Sequence, residues 1–198
     1  MKINHHIKMF SVFILSFLLS GCVLSEYVKF KIDLKTKNVE IEYINIVSTI
    51  EKEDKYWKNE KEKNEFFEML KATREIDLNE LLEDYNNTSE NSGKKNISKK
   101  LFKKNGKLNG IEKFKFADFD ELDLSINADS TKYIMKFNDM EKYISGNGNY
   151  IKTDTGDYIY WDINVKKLEA YIQLYDLNKD FDYTESLLPY WQKWKNKK

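Results

Sequence analysis

The first clear structural signal lies in residues 27–50, which read YVKFKIDLKTKNVEIEYINIVSTI. Val28, Phe30 and Ile32 alternate with charged residues, as on the half-buried side of a β-strand. A polar turn separates this run from a second alternating run that starts at Val39. The segment therefore predicts a β-hairpin at the start of the fold. In its second strand the apolar positions change parity after Tyr43, which predicts a β-bulge.

The segment after the hairpin changes from strand-like to helical spacing. Residues 53–75 combine apolar positions with charge pairs three and four residues apart, which predicts a long helix. Asp77-Leu78-Asn79-Glu80 has the form of a capping box, and it predicts a separate short helix over 78–85. Residues 86–98 contain Ile97 as their one large apolar residue, so we expect an exposed, mobile loop there.

The second half of the chain is rich in strand patterns. With the opening hairpin, the alternating runs predict about eight strands, at 27–34, 39–50, 101–102, 108–116, 133–137, 149–153, 157–165 and 168–174. An amphipathic C-terminal helix is predicted within 184–198. Because the connections are short, antiparallel pairing is favoured. The sequence therefore predicts a single α+β domain over residues 27–198, with a mainly antiparallel sheet.

An apolar run from Met9 to Leu19 precedes the hairpin and ends in Leu19-Ser20-Gly21-Cys22. A polar start containing Lys2 and Lys8 comes before this run, which has signal-peptide length and is too short to span a bilayer. The stretch resembles the lipobox of bacterial lipoproteins, in which a small-residue pair precedes a cysteine that becomes the mature N-terminus.

This resemblance implies that residues 1–21 are a signal peptide and that Cys22 carries acyl chains such as palmitate. Residues 22–26 would then form a very short tether between the membrane and the domain. In lipoproteins of double-membrane bacteria, aspartate directly after the lipidated cysteine tends to retain the protein in the inner membrane. Val23 stands at that position, so the resemblance implies an outer-membrane lipoprotein that faces either the periplasm or the cell surface.

The composition of residues 22–198 excludes several function classes. Both histidines lie at positions 5 and 6, and Cys22 is the only cysteine, so an acylated protein has neither imidazole nor free thiol. This excludes Ser-His-Asp and Cys-His catalysis and the usual zinc ligands, and it predicts a non-enzymatic protein. Loss of Lys2 and Lys8 leaves 31 basic against 33 acidic residues, a net charge of −2. With Arg74 as the only arginine, nucleic-acid binding is not expected.

Three acidic motifs are candidate sites, and each has a plainer structural explanation. Asp154-Thr155-Gly156 matches the triplet that aspartic proteases use in pairs, but Asp and Gly between two strand patterns also predict a tight turn. The cluster at 118–123, containing Asp118, Asp120, Glu121 and Asp123, has the groups for a hard cation or an acid/base pair. Acidic residues also favour the start of a helix.

The third motif alternates oxygen ligands as the start of an EF-hand calcium loop does, at Asp176, Asn178, Asp180 and Asp182. Phe181 replaces the loop's glycine, and Leu187 stands where the bidentate glutamate belongs. Calcium binding at this motif is therefore expected to be weak, and a solvated loop is the alternative.

Two aromatic groups are candidate binding surfaces. Tyr158, Tyr160, Tyr171 and Tyr175 point away from the apolar side of their strands. If the two strands are neighbours, the four tyrosines form one face suited to a glycan or a protein, unless the long helix covers it. At the C-terminus, Leu187, Trp191 and Trp194 share one helical face. That helix either lies on the membrane or docks its tryptophans on the core.

Three classes of function are compatible with these observations. The first is a membrane-anchored lipoprotein that acts as a binding or structural component of the bacterial envelope, with a protein or glycan partner. The second is an inhibitor or immunity-type lipoprotein that binds a secreted enzyme or toxin. The third is a carboxylate-dependent hydrolase, which depends only on scattered acidic residues. The expected cofactors are the covalent lipid on Cys22 and, at most, weakly bound calcium.

Overall fold

The computed structural model describes residues 23–51, 60–89, 93–137 and 142–197. These residues form antiparallel strands in two sheets, together with α-helices and one 3-10 turn. The strands are β1 Val23–Asp33, β2 Asn38–Glu51, β3 Lys94–Lys104, β4 Lys107–Phe116, β5 Leu124–Ile126, β6 Lys132–Phe137, β7 Lys142–Gly146, β8 Asn149–Thr153, β9 Gly156–Asp162, β10 Lys167–Gln173 and β11 Phe181–Ser186. The helices are α1 Glu60–Asn86, α2 Leu177–Asp180 and α3 Leu188–Lys195, and the 3-10 turn is Phe119–Leu122.

The large sheet has the strand order β3-β4-β2-β1-β10-β7, and β11 also pairs with β2. The predicted hairpin is its centre. β2 pairs with β1 along one side; on its other side its first half pairs with β4 and its second half with β11. The change of parity occurs at Asn45, which has a positive φ of 60°, while the register with β1 continues without a shift. The irregularity is therefore a local twist at one residue, where we expected an inserted residue.

The small sheet has the order β5-β6-β9-β8. It packs against the inward-facing side chains of β1 in the large sheet. Phe30 links the two layers, with its ring centroid 6.4 Å from that of Phe137 and 6.1 Å from that of Trp161. Helix α1 covers another part of the core with four buried residues of its C-terminal half: Leu78, Leu81, Leu82 and Tyr85. Gly110 on β4 is required there, because a Cβ atom would collide with the Tyr85 hydroxyl.

The small sheet joins the large one at the end of β1 that is remote from Val23. At that end the Leu34 amide donates to the Lys166 carbonyl over 3.0 Å, in the connection from β9 to β10. The Phe116 amide donates to the Lys37 carbonyl over 3.1 Å, where β4 leads to β5. With 11 residues in β1, the two ends of this strand lie roughly 33 Å apart.

The α+β class with mainly antiparallel sheets is confirmed, but the helix boundaries differ from those predicted. The helices expected at 53–75 and 78–85 form one helix, α1, within the described residues, and 53–59 lie outside them. Asp77 does not begin a new helix because its carboxylate turns inward and accepts hydrogen bonds from Ser48 and Arg74. The chain therefore continues in helical conformation through the predicted break.

The number of strands is also larger than the predicted eight, since eleven strands occur in the described residues. The loop expected at 86–98 contains the start of β3, because pairing with β4 extends to Lys94 opposite Phe116. Strands β5, β7 and β11 were missed. They have three to six residues, which is too short for a clear alternating pattern.

The two ends of the domain differ from expectation as well. Val23 already pairs with Ser48, so the residues predicted as a tether at 22–26 belong, from Val23 onward, to β1. Cys22 and the predicted signal peptide lie outside the described residues. The predicted C-terminal helix is shorter, because Phe181–Ser186 forms β11 and Pro189 stands in the first turn of α3.

Candidate functional site

The outer side of the small sheet is the strongest candidate for a binding surface. Successive side chains along β6, β8 and β9 point to opposite sides of the sheet. One set, which includes Met135, Ile159 and Trp161, points into the core, and the other set points outward. We call this outward side the small-sheet face; it includes Lys132, Ile134, Lys136, Ile151, Tyr158 and Tyr160. Ile151 is 49% exposed, and both tyrosines are half-buried, so the face presents apolar and aromatic groups to solvent.

Aromatic and cationic groups alternate closely across this face. The rings of Tyr158 and Tyr160 lie 6.1 Å apart between centroids and are stacked. The Lys136 Nζ lies 5.8 Å from the Tyr158 ring centroid, and the Lys132 Nζ lies 5.9 Å from that of Tyr160. Such cation–π contacts hold the long lysine side chains near the rings. The face therefore carries positive charge beside aromatic surface.

One carboxylate lies at the end of the same face. Asp162 Oδ1 accepts hydrogen bonds of 2.8 Å from both the backbone and the side-chain nitrogen of Asn164. These bonds, with a smaller contribution from Lys132, lower the pKa of the Asp162 carboxyl. Asp162 is consequently ionised at neutral pH, and the two lysines still outnumber it on the small-sheet face.

The four tyrosines predicted to form one face are separated into two groups. Tyr158 and Tyr160 lie on β9 in the small sheet, whereas Tyr171 lies on β10 in the large sheet and Tyr175 follows that strand. Tyr171 contacts Tyr27, with a centroid distance of 5.6 Å. Because β9 and β10 belong to different sheets, the condition for a common face is not met.

The outer side of the large sheet carries many ion pairs besides the Tyr27–Tyr171 pair. Glu42 accepts from the Lys104 Nζ over 2.7 Å, and Glu40 pairs with Lys113 at 2.6 Å. Exposed ion pairs of this kind contribute little to stability, and a surface of alternating charges stays well hydrated. This side therefore has the character of a solvated face, in contrast to the small-sheet face.

The Asp154-Thr155-Gly156 triplet forms the hairpin turn between β8 and β9, as its composition predicts. Gly156 has a φ of 135°, which only glycine adopts readily. The Thr153 Oγ1 donates to the Gly156 carbonyl over 2.9 Å and closes the turn. The acidic cluster at 118–123 lies in the separate connection from β4 to β5, around the 3-10 turn.

The calcium-like segment forms the short helix α2 and the start of β11. Asp176 caps this helix, with its Oδ1 accepting from the Asn178 amide over 3.2 Å. Asp180 Oδ2 accepts from the Asp176 amide over 2.8 Å. These carboxylates thus hold the backbone of the turn, and weak calcium binding there stays a prediction. Within the described ranges, no group of three or more His, Cys, Asp or Glu side chains is placed to hold a metal ion.

The C-terminal helix docks on the core, as one of the two predicted alternatives requires. Leu187 and Trp191 are buried, and Trp194 packs against the core cluster. Lys193 and Lys195 point to solvent, and the Lys195 Nζ lies 5.1 Å from the centroid of the Trp191 ring. The tryptophans of α3 are therefore used mainly inside the protein.

A buried ionic network joins α1 to the large sheet, and sequence reasoning did not find it. Arg74 is fully buried; its Nη1 contacts the Ser48 hydroxyl and lies 3.3 Å from Asp77 Oδ2, and its Nε donates to Glu185 over 3.3 Å. The Glu185 carboxylate also accepts from the Tyr190 hydroxyl over 3.1 Å. The available signal was the single arginine in a chain whose other basic residues outside the first eight are lysines.

A second buried polar group lies on the inner side of β4. Glu112 accepts from the Lys94 Nζ over 3.3 Å and from the Tyr43 hydroxyl over 3.5 Å. Burial, followed by the charge of Glu112, raises the pKa of Tyr43 well above its ordinary value. Burial also raises the pKa of Tyr85, with Asp84 as the next cause, and burial lowers the pKa of Lys94. Glu112 sits at an inward position of the β4 alternation, which was its sequence signal.

An apolar cavity of about 40 Å³ lies between the two sheets, next to Tyr43. Its other lining residues are Val28, Phe30, Ile32, Val39, Ile41, Leu122, Met135, Phe137 and Leu174. With one hydroxyl in this lining, the cavity has no set of polar groups that would orient a ligand. We regard it as a packing defect of the core.

The buried tyrosines predict that stability declines in alkaline solution. Tyr43 and Tyr85 have folded-state pKa values above the unfolded value near 10, so their contribution is complete below about pH 10 and is lost as the pH rises further. Lys94 acts in the opposite sense because its pKa is lowered. We expect the free energy of unfolding to fall by about 1.4 kcal/mol per pH unit for each buried tyrosine.

Urea unfolding at several pH values between about 9 and 11 measures this slope. The Tyr43→Phe variant should have a shallower alkaline decline than the native protein. Tyr158→Phe, at a half-buried position on the small-sheet face, is the matched control and should leave the slope unchanged. Equal slopes for native protein and Tyr43→Phe would contradict the assignment.

Comparison of the sequence with protein-family models, with curated proteins and with solved structures finds no match. Among the residues that the structure describes, no helix combines the length and apolar character needed to cross a membrane. The function must therefore be argued from the surface and from the sequence motifs of this chain.

Proposed function

We propose that the protein is a membrane-anchored lipoprotein whose domain is a non-enzymatic binding module of the bacterial envelope. The small-sheet face is the binding surface in this proposal. The observation that carries it is a contrast between the two sheets. The outer side of the large sheet surrounds its tyrosine pair, Tyr27 and Tyr171, with ion pairs between carboxylates and lysines, whereas the small sheet presents the exposed Ile151 with Tyr158 and Tyr160. Exposed apolar and aromatic groups rimmed by charge are typical of interaction sites.

The position of the two sheets supports the same arrangement. The lipobox would place the acyl chains on Cys22, directly before β1. The connections from β4 to β5 and from β9 to β10 lie at the opposite end of β1, roughly 33 Å away. From there the small sheet packs back over Phe30. With the first strand beginning at Val23, there is almost no flexible tether, so the fold itself would set the distance between the membrane and the binding surface.

The partner is a protein or a glycan of the envelope, and the same face suits the second class of function. An inhibitor or immunity-type lipoprotein would use it to bind a secreted enzyme or toxin. A carboxylate-dependent hydrolase has less support, because the acidic motifs at 118–123, 154–156 and 176–182 lie in three separate connections of the chain.

The anchor is tested by metabolic labelling with an alkyne analogue of palmitate and by cell fractionation. We expect the native protein to be labelled and to sediment with membranes, and Cys22→Ala to lose both properties. If the protein is in the outer membrane, it should co-fractionate with outer-membrane markers when the two membranes are separated. Unchanged labelling or membrane association of Cys22→Ala would contradict the lipoprotein proposal.

The binding surface is tested separately with the unanchored Cys22→Ala chain. Isolated cell envelopes of the producing bacterium serve as the probe, and saturable binding is measured by co-sedimentation. Tyr158→Ser with Tyr160→Ser should weaken binding at least about tenfold, since aromatic side chains at interfaces commonly contribute more than 1.4 kcal/mol. Tyr27→Ser with Tyr171→Ser on the large sheet is the matched control. Equal losses in both double variants would show that the small-sheet face is not the binding surface.

A further inference from the structure

The edge strands of the two sheets differ in how well they are protected against pairing with another chain. An edge strand offers unpaired backbone groups, and proteins block it with lysines, bulges or short length. β3 carries six lysines in its 11 residues. β5 has three residues, and the pairing of β7 with β10 shifts register between Tyr171 and Ile172. The pairing of β11 with β2 also shifts register, between Phe181 and Tyr183. Four of the five edges therefore carry such a feature.

Strand β8 is the exception. It pairs with β9 in continuous register from Asn149 to Thr153, and no described strand pairs with its other side. Its sequence NYIKT contains a single lysine, and all its residues except Tyr150 are exposed. Ile151 at its centre is 49% exposed. β8 is thus a regular edge with an apolar residue in the middle.

We propose that β8 pairs antiparallel with β8 of a second copy of this chain, about a two-fold axis at Ile151. In this register Ile151 faces its own equivalent, Tyr150 faces Lys152, and Asn149 faces Thr153. The pairs are apolar with apolar, aromatic with cation, and amide with hydroxyl, and no like charges are opposed. A self-complementary strand is what a two-fold interface requires.

This pairing would join two four-stranded sheets into one of eight strands. The cross-strand row Lys136, Tyr158 and Ile151 on the small-sheet face would continue into the same row of the second copy. Stable interfaces bury about 1,000 Å² of surface or more. A pair of five-residue strands buries less surface than this, so the association is weak in dilute solution. Confinement of both copies to one membrane would raise their effective concentration. The pairing itself does not depend on lipidation of Cys22.

Disulfide cross-linking tests the register. In the full chain with Cys22→Ala, an added Ile151→Cys is the only thiol, and facing residues of antiparallel strands have Cα atoms about 4.5–5.5 Å apart, within disulfide reach. We expect mild oxidation to give a covalent dimer. Ile144→Cys, at an isoleucine 39% exposed on the edge strand β7, is the matched control and should stay monomeric. No dimer from Ile151→Cys, or equal dimer from both variants, overturns the proposal.

A second measurement avoids the introduced cysteine. Sedimentation equilibrium of the Cys22→Ala full chain over a roughly 100-fold concentration range should show a monomer–dimer equilibrium. Ile151→Lys places two like charges on the axis and should weaken dimerisation at least about tenfold, while Ile144→Lys should not. Far-UV circular dichroism checks that both variants are folded. A monomer at all concentrations, or equal weakening by both lysines, contradicts pairing through β8.

Discussion

Replacement of Arg74 by methionine is expected to lower the free energy of unfolding by about 3–5 kcal/mol. Arg74 is fully buried, and Asp77, which it pairs with, has a side chain that is 3% exposed. Methionine fills a similar volume but leaves the Asp77 carboxylate buried without its cation. A buried charge that loses its partner is among the most destabilising changes in a protein core.

The double variant Arg74→Met with Asp77→Leu separates lost charge pairing from lost volume. It removes both charges, so it should recover about 2 kcal/mol relative to Arg74→Met alone. Glu75→Gln, at the neighbouring but exposed helix position, serves as the surface control and should change stability by less than about 0.5 kcal/mol. Chemical denaturation with far-UV circular dichroism measures all three. Equal stability of Arg74→Met and the native protein would show that the ionic network of Arg74, Asp77 and Glu185 does not hold α1 on the large sheet.

Replacement of Trp161 by alanine is the second change with a large expected effect, about 3–5 kcal/mol. The Trp161 side chain is 1% exposed and packs edge-on against Phe30 of the large sheet. Its Nε1 donates to the Asn147 Oδ1 over 2.8 Å, and this oxygen also accepts from the Glu169 amide of β10. Trp161 therefore connects the two sheets through both its ring and its single hydrogen bond.

Trp161→Phe keeps most of the apolar volume and removes the hydrogen bond, so we expect a loss of about 1–2 kcal/mol. Asn147→Ala should destabilise by a similar amount, because the Glu169 amide also loses its acceptor. A double-mutant cycle with these two changes measures their coupling. Independent effects of Trp161→Phe and Asn147→Ala would mean that this bond does not join the sheets. A loss below about 1 kcal/mol for Trp161→Ala would contradict its central place in the core.

The sequence by itself determined the elements whose local pattern is strong. The opening hairpin was predictable because Val28, Phe30 and Ile32 bury one side of β1 and leave lysines on the other. The turn at 154–156 was predictable because Gly156 adopts a positive φ, which glycine takes up readily. The composition also determined which catalytic groups residues 23–198 lack, since neither histidine nor cysteine occurs there.

Only the tertiary structure decided which elements share a sheet and which residues meet in space. The capping-box pattern at Asp77 was overridden because burial of Arg74 required a carboxylate beside it. Tyr158 and Tyr171 lie only 13 positions apart in sequence, yet the connection between β9 and β10 passes from one sheet to the other. Strand pairing and burial of charge depend on residues far apart in the chain, and local patterns carry no information on those distances. The small-sheet face and the open edge of β8 therefore became visible only once the strands were arranged.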